Sequence, residues 1–330
     1  MTKTAAITGI TGQDGSYLAE LLLNNGYNVV GLYRRSSNSN FQRIKHLLGN
    51  KRLILEEFDV TDPADCVDII TKHRPHHFYN LAAQSHVATS FKQPTTTFEI
   101  NTIGVINILE NIRKFSSTTR FYQASTSEMF GSNYILDEHG EKYQNETTAF
   151  LPQSPYAVSK LSSHRMIQIY REAYGLYATS GILFNHESPR RGENFVTRKI
   201  TKYIGHLVNK KTTERLKLGN IKVLRDWGHA KDYVLAMRLM LSHGNPDDFV
   251  ISTGYSHTVE SFLEYAFKCV NLNYLNHIEI DHNLYRPMEV EFCRGDSTKA
   301  KNILGWQPKI SFEQLVEDMV FSDIESTRYE

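Results

Sequence analysis

Tyr156 and Lys160 stand four residues apart in the run Ser154-Pro155-Tyr156-Ala157-Val158-Ser159-Lys160. On a helix that spacing puts both side chains on one face. A free phenol has a pKa near ~10 and is a poor base at neutral pH. A neighbouring ammonium and a cationic ring would both favour the phenolate, and Tyr156 could then take a proton from a hydroxyl. Upstream, Ser125-Thr126-Ser127-Glu128 follows the apolar run that begins at Arg120. In an α/β sheet the carboxyl ends of the strands face the ligand crevice. Hydroxyls there could hold an oxygen being oxidised. A carboxylate two residues on is more than a simple reductase needs, and it could move a second proton. Alone, each pattern also reads as an exposed helical pair or a capped turn.

A second constellation gives them a context. Gly9-Ile10-Thr11-Gly12-Gln13-Asp14-Gly15 lies between the first apolar run and the first helical pattern. Glycines let the backbone turn tightly and approach a pyrophosphate, which the free N–H groups at a helix N-terminus then bind. The second strand ends at Tyr33 and is followed by Arg34-Arg35-Ser36-Ser37 rather than an acid. An acid there would bind a ribose 2′-hydroxyl, whereas two guanidiniums and two hydroxyls suit a 2′-phosphate, so NADP is expected over NAD. Asp59-Val60 and Leu81-Ala82-Ala83-Gln84-Ser85 follow the third and fourth strands and could flank the same cofactor.

The elements that must position these residues alternate. Strands are expected at 3–8, 28–33, 52–58, 77–82, 120–125 and 177–184, with helices at 14–25, 95–114 and 155–174 and another opening at Asp62-Pro63. That order means a Rossmann-like, doubly wound parallel sheet with helices on both faces. Residues 1–185 are expected to form the cofactor-binding domain. Residues 186–330 read as basic loops, two or three helices and short strands, forming a smaller, interleaved substrate lobe with segments returning to the first.

Composition sets the limits. The chain has 330 residues, 37 Lys plus Arg against 36 Asp plus Glu, and three widely spaced cysteines. A net charge of +1 gives no general attraction to nucleic acid or anionic membrane. The cysteines form no disulfide framework or zinc motif and fit a reducing cytoplasm. No apolar run approaches ~20 residues, and the start reads as a strand rather than a signal peptide. His73, His76 and His77 precede a strand instead of ending one, so no metal is expected.

Longer blocks carry a family resemblance. Gly181-Ile182-Leu183-Phe184-Asn185-His186-Glu187-Ser188-Pro189-Arg190-Arg191-Gly192-Glu193 closely resembles the signature of GDP-mannose 4,6-dehydratases. So do Phe195-Val196-Thr197-Arg198-Lys199-Ile200 and Arg225-Asp226-Trp227-Gly228-His229-Ala230-Lys231-Asp232-Tyr233. The opening from Ile7 to Glu20 and the block Phe121 to Glu128 match as well, so the resemblance covers nearly the whole chain. It implies an extended short-chain dehydrogenase fold with bound NADP and a catalytic set of Thr126, Glu128, Tyr156 and Lys160. Cofactor contacts are implied at Gly9, Ile10, Thr11, Gly12, Gln13, Asp14, Arg34, Arg35, Ser36, Ser37, Asp59, Val60, Leu81, Ala82, Ala83, Gln84, Ser85, Lys160, His186 and Arg191. Substrate contacts are implied at Ser85, Asn185, Lys199, Arg225, Arg286 and Glu289.

The implied reaction is internal. C4 of a GDP-sugar is oxidised, the 4-ketone acidifies the C5 hydrogen, water leaves from C6, and the same cofactor returns the hydride to C6. The implied assembly is a homodimer or homotetramer built on helices 95–114 and 155–174, with the arginine loop near residue 35 against a neighbour. The chain departs from the family in a longer stretch within 132–148, in Thr96 where a tyrosine is usual, and in Leu161-Ser162-Ser163-His164 after Lys160. These departures leave GDP-manno-heptose open beside GDP-mannose. A nucleotide-sugar epimerase or C4 reductase, and a non-catalytic NADP-binding scaffold, are the other readings.

Overall fold

A computed structural model of the chain describes residues 2–36, 40–285 and 288–329. The order begins β1 (Thr4–Thr8), α1 (Gln13–Asn24), β2 (Asn28–Tyr33), β3 (Leu53–Glu57), α2 (Pro63–His73) and β4 (His77–Asn80). Next come α3 (Val87–Lys92), α4 (Pro94–Phe98), a π-helical turn (Glu99–Ile103), α5 (Gly104–Phe115) and β5 (Arg120–Thr126). A short hairpin, β6 (Ile135–Leu136) and β7 (Lys142–Tyr143), precedes α6 (Pro155–Tyr174) and β8 (Ala178–Leu183).

Local chemistry fixes these bounds. The Asp62 carboxylate accepts from Ala64 N and Pro63 takes the first helical position of α2. Ser154 and Pro155 open α6 in the same way, and Gly175 in the left-handed region closes it.

The rest of the chain is richer in helix than its pattern implied. It runs β9 (Asn185–Glu187), α7 (Val196–Val208), β10 (Leu216–Leu218), β11 (Leu224–Arg225), β12 (Trp227–His229), α8 (Ala230–Ser242) and β13 (Asp248–Ile251). It ends β14 (His257–Thr258), α9 (Val259–Lys268), β15 (Ile278–Ile280), α10 (Thr298–Leu304) and α11 (Phe312–Thr327). Five helices therefore follow residue 185 among the described residues, where two or three were expected. α3 was also unforeseen, being a single turn and a half in a polar stretch.

The central sheet is parallel throughout, in the order β13-β8-β5-β4-β1-β2-β3. The chain leaves β1 in one direction for β2 and β3, then returns past it to β4 and beyond. The ligand crevice of such a sheet lies at that reversal, outside the carboxyl ends. There the Thr8 hydroxyl donates to Asn80 Oδ1 (2.7 Å) and accepts from Leu81 N and Ala82 N (2.9 Å each). One apolar cluster packs α1 and α8 on one face of the sheet, and a second packs α2, α5 and α6 on the other. A third unites Trp227 with α7, α9 and α11. The late strand β13 pairs with β8 from Ser180 to Leu183, so residues far down the chain complete the sheet.

Gly15 sets how closely α1 approaches β1. A Cβ on it would lie 2.3 Å from Gly9 O and 2.7 Å from Ile10 Cα, both backbone atoms that cannot swing away. Gly15→Ala is expected to cost about 1–3 kcal/mol, outweighing the alanine's helix preference of about 1 kcal/mol. A lowered thermal midpoint of the purified variant checks this, and an unchanged midpoint would contradict it.

Candidate functional site

One long cleft, about 890 Å³, runs across the carboxyl ends of the sheet and under the second lobe. Its floor at one end is the glycine loop. Gly9 has φ +65°, and a Cβ there would stand 3.3 Å from the Leu81 carbonyl and Ala82 N. Gly12 is the N-cap of α1 and offers no side-chain cap, so the first N–H groups of the helix are open to an anion. Arg34, Ser36 and Arg43 line the cleft just beyond β2. This bare backbone, open helix end and cluster of donors fit a dinucleotide carrying an extra phosphate.

A half-buried charged pair ties this loop to the second lobe. His186 Nδ1 lies 2.8 Å from the Phe184 carbonyl oxygen and Nε2 lies 2.7 Å from Asp14 Oδ2. Both partners only accept, so the ring donates from both nitrogens and is an imidazolium. Burial disfavours the charge on each, but the partner outweighs it. His186 is held above its ordinary pKa and Asp14 below. The imidazolium also stacks on Tyr233, with centroids 4.5 Å apart. Gln13 donates to the His186 carbonyl (3.0 Å) and accepts from the Ser188 hydroxyl (2.8 Å).

β5 delivers Thr126 and Glu128 to the middle of the cleft, and the first turn of α6 delivers Tyr156 and Lys160. The Thr126 hydroxyl accepts from Glu128 N at 3.3 Å and lies close enough to the Tyr156 phenol to act on it electrostatically. Lys160 is 3% exposed and donates from Nζ to the Ala124 carbonyl at 2.9 Å. Burial lowers its pKa to about 8, which still leaves it largely charged at pH 7. Tyr156 corrects an expectation. Burial pushes its phenol up to about 12, helped by the Glu128 charge and opposed by the Thr126 hydroxyl, so these surroundings do not by themselves favour phenolate.

The other end of the cleft belongs to the second lobe. Arg225 is buried, donating to the Leu224 carbonyl (2.9 Å), the Val290 carbonyl (2.7 Å) and Glu289 Oε1 (2.8 Å). Exposed Lys199 on α7, Asn185, and Arg191 stacked 3.6 Å over Phe195 complete this wall.

Most of the residues singled out in the sequence meet here. Gly9, Thr11, Gly12, Gln13, Asp14, Arg34, Ser36, Asp59, Val60, Leu81, Ala82, Ala83, Ser85, His186, Arg191, Asn185, Lys199, Arg225, Glu289 and the four from β5 and α6 all line the cleft. Ile10, Arg35 and Gln84 do not. Ile10 is fully buried against Gly31 in the sheet core. Arg35 is exposed outside the cleft. Gln84 turns away, with its backbone bonded to Asn101. Ser37 and Arg286 lie outside the described residues.

Sequence reasoning missed Asn101 and Thr102 on the π-helical turn. Asn101 donates to the Ser159 hydroxyl (3.0 Å) and Thr102 to the Ser159 carbonyl (2.9 Å), fixing α6 one residue before Lys160. Their signal was polarity on an otherwise apolar helix face. Arg43, His86, Asn194 and Phe195 were also missed, since no short motif marks them. None of residues 132–148 lines the cleft, nor do Ser162 and His164.

Comparison with known proteins is consistent along the whole chain. Residues 6–319 match the family model described as GDP-mannose 4,6 dehydratase. GDP-mannose 4,6 dehydratase 1 of Arabidopsis thaliana is 50% identical over 338 residues, covering 99% of this chain and 91% of that protein. The human GDP-mannose 4,6 dehydratase is 45% identical over 356 residues, covering 99% and 92%. Among solved structures, a dTDP-glucose 4,6-dehydratase from Streptomyces venezuelae superimposes with a TM-score of 0.87, covering 99% of this chain and 98% of that one. At 21% identity it speaks for the fold alone.

The charged clamp carries a pH signature. His186 has a raised folded pKa, so its contribution is complete below its unfolded value near ~6.5 and is lost as pH rises through the folded one. The gap in thermal midpoint between the wild type and His186→Gln should therefore narrow from pH 6 to pH 9. A constant gap across that range would show that the imidazolium charge is not what holds the loop.

Proposed function

The chain belongs to the GDP-mannose 4,6-dehydratase family, and we propose how its own residues perform that reaction. It is an NADP-dependent hydro-lyase that converts GDP-mannose to GDP-4-keto-6-deoxy-mannose. The observation that carries this reading is the meeting of Thr126, Glu128, Tyr156 and Lys160 in one cleft, within a chain matched to the family from residue 6 to 319. When bound, NADP supplies the two-electron acceptor and donor, and in its oxidised form a positive ring charge that counters the burial of the phenol.

Tyr156 takes the proton from the C4 hydroxyl, and the neighbouring Thr126 hydroxyl fixes the position of that oxygen. Lys160 holds its ammonium against the Ala124 carbonyl and contributes positive charge behind the phenol. The C4 ketone acidifies the C5 hydrogen. Glu128 removes that proton and delivers it to the C6 hydroxyl, which leaves as water, and the 5,6-ene left behind becomes product by gaining the returned hydride at C6 and a proton from solvent at C5. A carboxylate is required because this second proton moves at a carbon, away from Tyr156. Gly9, Thr11, Gly12, Gln13 and Asp14 seat the cofactor pyrophosphate with Arg34 and Ser36 at its 2′-phosphate, while Lys199, Arg225 and Glu289 take the GDP part.

Two further features belong to this reading. Residues 1–185, joined by β13 and α8, form the cofactor-binding domain, with 186–330 mainly the substrate lobe. The outer faces of α5 and α6 expose Phe115, Val158, Ile169 and Tyr174 at 39–51%, beside Ile103 on the π turn at 50%. They support self-association through these helices as a dimer or tetramer. Among the described residues no helix is long and apolar enough to cross a membrane.

Incubation with GDP-mannose, GDP-manno-heptose and dTDP-sugars, read as mass loss of one water, tests the assignment, and turnover of the dTDP-sugars alone would overturn it. Tyr156→Phe is expected to lower kcat by about 10²–10⁴-fold at the opening oxidation. Glu128→Gln should retain that oxidation and accumulate reduced cofactor, seen by absorbance in a single turnover. Normal dehydration by Glu128→Gln would assign the C5 proton to another group. Light scattering at micromolar concentration checks the assembly, which a monomer would contradict.

A further inference from the structure

The catalytic helix meets β5 through one stripe of side chains. Tyr156, Lys160 and His164 recur every four residues on α6, which keeps them on one side of the helix. Tyr156 lies beside Thr126, Lys160 donates to the Ala124 carbonyl (2.9 Å), and His164 Nδ1 meets the Ser125 hydroxyl at 3.1 Å. Three consecutive residues of β5 are thus each met by a residue of α6. His164 itself does not line the cleft, whereas Ser125 does. The His164 ring is 1% exposed and stands edge-on to Phe150, with centroids 5.4 Å apart.

A chain of hydrogen bonds sets which way the His164 bond runs. Arg171 donates to Asp248 Oδ1 (2.7 Å), and that oxygen also accepts from Ser180 N on β8 (3.1 Å). Gln168 is fixed in orientation, because Arg165 donates to its Oε1 (2.7 Å) while its Nε2 donates to Asp248 Oδ2 (2.9 Å). The same amide nitrogen faces His164 Nε2 at 3.3 Å. An amide nitrogen only donates, so Nε2 is the accepting nitrogen of the ring and Nδ1 carries the proton. Burial, with Arg165 and Arg171 nearby, holds His164 below its ordinary pKa against the pull of Asp248, so the ring is neutral. Nδ1–H therefore donates to Ser125. The C-terminal half of α6 is pinned to β13 and β8, and one turn earlier the helix is pinned to β5.

We propose that His164 is a positioning residue of the dehydration, acting through Ser125 to hold the end of β5 in the register that sets Thr126 and Glu128 against Tyr156 and Lys160. The stretch Leu161 to His164 is one in which the chain departs from the family, and this bond gives the departure a function. The proposal rests on the dehydratase reading, and a wild type that leaves GDP-mannose unchanged would remove that reading and the proposal with it. Given wild-type turnover, kcat and KM for GDP-mannose are measured for full-length His164→Phe, His164→Asn, Ser125→Ala and the double variant His164→Phe/Ser125→Ala, together with their unfolding midpoints. Phenylalanine keeps the ring and its contact with Phe150 but loses the donor. Asparagine loses the ring but places an amide N–H where Nδ1–H stands. His164→Phe is expected to lower kcat by about 10-fold with KM within about twofold. His164→Asn should stay within about threefold of the wild type in kcat, despite a lower midpoint than His164→Phe. The double variant should be no slower than the slower single one. A purely structural role would order the activities as the midpoints, with His164→Phe above His164→Asn, and that result would overturn the proposal. So would an unchanged kcat in His164→Phe, a loss carried by KM, or losses that multiply in the double variant. Should His164→Phe fail to fold, His164→Leu takes its place in the same comparison.

Discussion

The Asp14–His186 ion pair is the interaction on which the arrangement of the cleft depends. It joins the first turn of α1, where phosphates are bound, to β9, the first element of the second lobe. Such a pair is stable only if every remaining donor finds an acceptor, because desolvation of two charges is expensive. That condition is met: the other ring nitrogen donates to the Phe184 carbonyl, and the second lobe is sewn on by Gln13, Ser188 and Arg190 over the next few residues. Removing one partner would leave a buried charge unpaired, and the loop and the lobe would lose their common anchor. Asp14 also sits in the first turn of α1, where the helix dipole favours a negative charge.

Burial shapes the catalytic group in a less obvious way. It moves Tyr156 up to about 12 and Lys160 down to about 8, so the protein holds a neutral phenol beside a weakened ammonium. A positive charge that enters with the cofactor has a large effect in this setting, since charges interact more strongly where water is excluded.

Much of this was legible in the sequence, and the reasons differ by element. β1, α1, β2 and α6 are bounded by their own residues: a glycine loop, a cap, a proline, a left-handed glycine. Local rules therefore found them, and the spacing of Tyr156 and Lys160 followed. β13 was not legible as the edge of the main sheet, because its pairing with β8 bridges a separation of 68 residues and leaves no periodic trace. The helices after residue 185 lie among polar loops, and α7, α9 and α11 are held by burial in the third cluster, a long-range effect that local propensity does not carry. Within the site, motif ranges carried Ile10 and Gln84 along although their side chains face away from the cleft. A short motif says where the backbone is needed, not where each side chain points. Arg43 shows the converse, a cleft residue in a 3₁₀ turn with no pattern around it.

The departures from the family bear on the sugar. Residues 132–148 fold around the β6–β7 hairpin and are tied to the segment after Glu289 rather than to the cleft. Gln144 N donates to Arg294 O and Asp296 N to Gln144 O, each at 2.9 Å. Lys142 lies 4.3 Å over the Tyr134 ring, which meets Phe292 edge-on. The added length thus backs the segment that carries Glu289 into the cleft. His164, another departure, is buried behind β5 and bonded to Ser125 at 3.1 Å. Neither residues 132–148 nor His164 line the cleft, so neither of these departures by itself reshapes it. The cleft wall is built from Thr126, Glu128, Tyr156, Asn185 and their neighbours, the same blocks that carry the family resemblance.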